Sequence, residues 1–149
     1  MDVSRLKNAI KKHKHLVWLS CIVLFGLIIR VSHINNTELD RTVPQPDALQ
    51  YVNYAYNLAH FKTFSSDTQT DYPVPDSYRS PGYPLLIAAV MKMLPPNRWH
   101  KTVLYIHVIA STLTVILTFY IGCFFMPKWA SLLAAALTAF SPHLISLTF

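Results

Sequence analysis

The sequence predicts an all-α integral membrane protein, with three transmembrane helices and an extracytoplasmic loop containing amphipathic interfacial helices. Three observations lead there. Hydrophobic residues make up 52% of the 149 and charged residues only 13%, about half of the ~25% charge a soluble domain carries, and mean hydropathy is positive. The apolar residues are gathered into three runs that approach the ~20 residues needed to cross a bilayer. The charges stand mostly between those runs: five of the thirteen cations precede the first, and six of the seven acids lie between the first and the second. The same composition excludes a disordered chain by its apolar content, a disulfide scaffold by its two cysteines and a collagen-like chain by its three glycines.

Residues 1–15 form a basic flank, with Arg5, Lys7, Lys11, Lys12 and Lys14 opposed only by Asp2. Positive charge beside a first apolar run marks a cytoplasmic end, so the N-terminus is expected inside. The net charge of +6 is therefore a topology signal, and no nucleic-acid partner is expected, because no aromatic-interleaved basic groove follows. The first span is expected over 16–34, about 28 Å at ~1.5 Å per residue. Arg30 then lies about one turn from the far interface, where its stem is expected to snorkel toward headgroups. No small-x-small cleavage pattern follows it, so an uncleaved anchor is preferred to a signal peptide.

Residues 35–101 form a polar loop on the extracytoplasmic side. Prolines recur from Pro44 to Pro84, which confines helix to short pieces. One piece is expected near 47–60: Asp47-Ala48-Leu49-Gln50 has the form of a capping box, and Ala48, Val52, Ala55 and Ala59 follow at helical spacing. Such an amphipathic helix suits the membrane surface. A second is expected near 83–94, apolar but interrupted by Lys92 and too short to span.

The second span is expected over 102–126 and the third over 129–149, joined by a turn at Pro127-Lys128 whose lysine marks it as cytoplasmic. The chain stops inside the third apolar run with no interfacial flank, the pattern of a truncated polypeptide. Cys21 and Cys123 both lie in apolar runs and are read as packing residues. The seven histidines are scattered, with no H-x-x-x-H pair to suggest a zinc hydrolase. Asn35-Asn36-Thr37 fits a glycosylation acceptor.

Two groups could carry chemistry. Asp47 opens the first loop helix; it is either an N-cap or a carboxylate placed to act as general base or metal ligand. At helical spacing it shares a face with Tyr51, Tyr54 and Leu58. The second group is Tyr78-Arg79-Ser80-Pro81-Gly82-Tyr83-Pro84, where prolines stiffen the backbone around a guanidinium set between tyrosines. Arginine is the side chain best shaped for phosphate oxygens, and phosphate is what the outer lipid interface offers; pairing with headgroups or a loop acid is the plainer role.

Taken in order, the span ending in Arg30, Asp47-x-x-x-Tyr51-x-x-x-Ala55-x-x-Leu58, Phe64-Ser65, Arg79-Ser80-Pro81-Gly82-Tyr83-Pro84-Leu85 and two apolar runs ending at Ser141-Pro142 resemble the N-terminal part of the GT-C polyprenyl-phosphate-sugar glycosyltransferases. The resemblance is to the protein-mannosyltransferase-like branch that includes lipid A aminoarabinose transferases. It implies a membrane transferase of the bacterial plasma membrane that moves a sugar from a polyprenyl-phosphate donor to a hydroxyl or phosphate of a lipid, glycan or protein acceptor. It implies that Asp47 is the acidic residue of the first loop used in catalysis and that Arg79, with Tyr51 and Tyr83, binds substrate. The cofactor it implies is open, with a divalent cation as the candidate. Two departures stand out: Ala48 replaces an acid that often follows the aspartate, leaving metal use open, and His60-Phe61-Lys62-Thr63 lacks the glycine that commonly precedes the Phe-Ser element. A small non-enzymatic three-span protein, or an inactive fragment of a transferase, is the competing expectation.

Overall fold

A computed structural model describes residues 14–36, 46–69 and 72–146, and among them every regular element is helical. The helices are α1 (Lys14–Asn36), α2 (Pro46–His60), α3 (Gly82–Met93), α4 (Trp99–Phe125), α5 (Lys128–Phe140) and α6 (Pro142–Ser146). By length and composition, α1 and α4 could each cross a membrane. The N-terminal part of the basic flank, Thr37 of the glycosylation motif and the last three residues of the expected third span lie outside the described residues.

Two compact units divide the chain. In the first, built from α1, most of α4, α5 and α6, the core is Leu19, Val115, Phe119, Ala135 and Ala139. Small residues let the helices approach closely. A Cβ on Gly26 of α1 would lie 3.2 Å from the Ala139 Cβ of α5, and one on Gly122 of α4 would lie 3.0 Å from Ser131 Oγ. This small-residue packing is how apolar helices associate where burial from water supplies no drive.

The third apolar run is not one helix. Pro142 has no N–H to donate to Thr138 and drives the preceding residue out of helical geometry; Ser141 is extended at φ −64, ψ 117. Helix α5 therefore ends at Phe140 and a single further turn, α6, begins at Pro142. Hydropathy does not register a missing donor, so the expectation of a continuous span over 129–149 is corrected here.

That break also overturns the snorkelling of Arg30, which is 0% exposed. Its Nη1 donates to the carbonyls of Ala139 at 2.9 Å and Gly26 at 3.0 Å, Nη2 to that of Thr138 at 3.3 Å, and Nε to Ser111 Oγ at 2.9 Å. The last carbonyls of α5, deprived of backbone donors by the break, are capped by a guanidinium from α1. A cation is favoured there by the helix dipole as well.

In the second unit α2 packs on α3; Tyr54 and Ala55 of one and Pro84, Ile87 and Ala88 of the other are buried. The segment after α2 is tied back to it. Asn57, 3% exposed, donates from Nδ2 to the carbonyls of Ser65 at 2.8 Å and Asp67 at 2.7 Å. Lys62 adopts φ 57 just past the helix end, a left-handed position that glycine fills at least cost.

Candidate functional site

Helix α2 starts two residues earlier than the capping-box reading requires, with Pro46 at its first position, where a missing N–H is harmless. Asp47, Gln50 and Tyr51 then share the side of its first turn. On the other wall, Pro81 leads into α3 and accepts the Leu85 N–H at 3.0 Å, placing Arg79 immediately before a rigid helix start. The two motifs meet: Arg79 Nη2 forms an ion pair with Asp47 Oδ1, and Arg79 Nε donates to Gln50 Oε1 at 2.8 Å. Asp47 and Gln50 thus clamp a guanidinium instead of closing a capping box.

Aromatic rings complete the site. The guanidinium carbon lies 5.3 Å from the centroids of both Tyr51 and Tyr78, inside cation–π range. Tyr51 in turn meets Tyr83 edge to face at 5.3 Å. The Arg79 side chain is 21% exposed and that of Asp47 75%, so the carboxylate is open to solvent while the cation is partly shielded.

Electrostatics fix the protonation states. Partial loss of hydration lowers the affinity of Arg79 for its proton, but the hydrogen bond and charge of Asp47, then Tyr51, outweigh it and raise the pKa above its ordinary value. The group is a permanent cation. Burial pushes the Tyr83 phenol up, with a smaller push from Tyr51, so at neutral pH Tyr83 is a neutral hydrogen-bonding group.

All four residues singled out by sequence, Asp47, Tyr51, Arg79 and Tyr83, lie in this one cluster. Tyr54 does not. It is fully buried, its ring stacks on Phe64 at 4.4 Å, and its hydroxyl donates to Asp76 Oδ1. Sixty degrees on the helical wheel separate it from Tyr51, and Phe64 and Asp76 take the Tyr54 side.

Two contributors escaped sequence reasoning. Gln50 fits a cap by sequence, although its spacing of three from Asp47 is the signal that both face one way. Asp76 looked like any loop acid. Its carboxylate accepts from Ser66 N at 2.9 Å, Ser66 Oγ at 2.8 Å and Tyr78 N at 3.3 Å, while its own N–H donates to Phe64 O at 3.0 Å. Three residues before Arg79, this hub sets where the arginine emerges.

Comparison with protein-family models, curated proteins and solved structures finds no match. The chemistry must be read from the cluster itself.

That chemistry is anion recognition beside a carboxylate. A shielded, permanent guanidinium suits phosphate oxygens, and the exposed Asp47 can accept a proton from a neighbouring hydroxyl. Among the described residues no group of three or more His, Cys, Asp or Glu side chains could hold a metal ion. Asp47 alone offers one carboxylate, so a divalent cation would need ligands from substrate phosphate and water. A recess of about 330 Å³ lies elsewhere, among Leu16, Leu19, Ser20, Val23, Ile116 and Tyr120. It is largely apolar and shares no residue with the cluster.

Proposed function

We propose that the chain is part of a membrane glycosyltransferase that moves a sugar from a polyprenyl-phosphate donor to an acceptor on the extracytoplasmic face of a bacterial plasma membrane. One observation carries the reading: Asp47 and Arg79, 32 positions apart, form an ion pair flanked by tyrosines. The two motifs that meet, around Asp47 and around Arg79, are among those that resemble the GT-C transferases.

In this reading the N-terminus is cytoplasmic, α1 and α4 cross the bilayer, and α5 with α6 makes a broken third crossing. Helix α3 exposes Leu85, Leu86 and Met93, a composition suited to the lipid interface. The donor's phosphate binds at Arg79. The acceptor hydroxyl attacks the anomeric carbon, its proton passes to Asp47, and the bond from that carbon to the phosphate oxygen breaks. The departing polyprenyl phosphate carries the negative charge that Arg79 offsets. Tyr51 and Tyr83 present aromatic walls and hydroxyls to the sugar.

The test is transfer of radiolabelled sugar from a short polyprenyl-phosphate donor in membranes containing the protein, its Asp47→Asn variant or its Arg79→Ala variant. Transfer by the wild type that falls at least a hundredfold in each variant is expected, on the order of what a lost base or a lost anion donor costs. Wild-type transfer no greater than in membranes lacking the protein, or equal turnover in all three, overturns the proposal and favours a non-enzymatic role.

A further inference from the structure

We infer that the Asp47–Arg79 ion pair is a resting-state lock, which a phosphate ester opens by competing with the carboxylate for the guanidinium. The inference rests on the proposed donor-binding role of Arg79 and adds a regulatory step to it.

The geometry of the fork supplies the argument. Arg79 Nε is committed to Gln50 at 2.8 Å and Nη2 to Asp47, so two acceptors hold one edge of the guanidinium. Its central carbon lies 5.3 Å from the ring centroids of Tyr51 and Tyr78. Tyr51 adds a side-chain hydrogen bond to the guanidinium, and neither Gln50 nor Asp47 occupies Nη1. A phosphate binding through two parallel N–H···O bonds takes the Nη1–Nη2 end, and that brings its charge against the Asp47 carboxylate.

The two anions therefore oppose each other. Gln50 is neutral and can keep its bond, holding the arginine in place, whereas Asp47 has no such ground to stay. Its side chain is 75% exposed and is free to swing into solvent. A carboxylate released from the guanidinium has both oxygens available for an acceptor hydroxyl. Phosphate binding would thus arm the base, and an empty site would keep base and cation neutralised by each other.

The measurement is equilibrium binding of farnesyl phosphate to the detergent-solubilised full chain, with inorganic phosphate and farnesol as separate arms. Removing the competing charge in Asp47→Asn is expected to tighten farnesyl phosphate binding about two- to fivefold, the size of an exposed ion pair. Asp47→Glu should bind like the wild type, and Arg79→Ala should lose binding. Inorganic phosphate following the same order assigns recognition to the phosphate alone, and farnesol is expected not to compete. Circular dichroism confirms that each variant keeps its helix content. Binding by Asp47→Asn that is equal to or weaker than that of the wild type overturns the lock. No sugar is transferred here, so this failure is distinct from failure of the transfer assay.

Discussion

Arg30 is the position where a single substitution should disturb the apolar unit most. Replacing it with methionine keeps an apolar stem and removes all four donated hydrogen bonds. The Gly26 carbonyl still has its helical N–H partner, and Ser111 can turn its hydroxyl elsewhere. Thr138 and Ala139 are different, because Pro142 and the extended Ser141 take away the donors that would replace the arginine. Two carbonyls stranded in an apolar setting cost about 1–3 kcal/mol each. Relief from burying a guanidinium offsets part of this, leaving a net loss of about 3 kcal/mol. Unfolding in mixed micelles, followed by tryptophan fluorescence, reads the difference. Arg30→Lys should recover only part of it, since an ammonium cannot reach carbonyls on two helices in a fork. Stability of the methionine variant within about 0.5 kcal/mol of the wild type, the range of an ordinary surface change, would refute the capping argument.

Other consequences are equally open to measurement. Gly26→Ala places a methyl 3.1 Å from Arg30 Nη1 and 3.2 Å from the Ala139 Cβ, so the same unfolding assay should show a loss of about 1–3 kcal/mol from overpacking. Lys62→Gly relieves a left-handed backbone at φ 57 and should stabilise the end of α2 by about 1 kcal/mol, read as slower proteolysis after His60. Tyr83 has its pKa raised by burial and then by Tyr51, so the folded chain holds that proton more tightly than the unfolded one. This contribution to stability is complete below the ordinary tyrosine value of 10.0 and declines as pH rises above it; Tyr83→Phe should flatten the decline in an alkaline unfolding series.

Hydropathy and proline placement made the helical character legible, because α1 and α4 are long apolar runs and Pro81 and Pro127 sit just outside helix starts. The convergence of Asp47 with Arg79 was legible only as two motifs, not as a contact. What stayed hidden depends on long-range geometry. A helical wheel assigns Tyr51 and Tyr54 to nearly one face, and only the tertiary placement of Phe64 and Asp76 decides that Tyr54 is buried against Asp76 while Tyr51 faces the guanidinium. Arg30 escapes a local reading for a similar reason: two of its three carbonyl acceptors lie 108 and 109 positions away. The clue was local to them, at Ser141-Pro142, where hydropathy counts a proline but not the donor it lacks.

The account stands on the outward placement of the segment between α2 and α3. In a chain with Cys21 and Cys123 replaced by serine, a single Ser77→Cys change puts a thiol beside Tyr78 on an exposed residue. The account predicts that a membrane-impermeant maleimide labels it in intact cells to the same extent as in permeabilised ones. Labelling that requires permeabilisation would put Asp47 and Arg79 on the cytoplasmic side and contradict it.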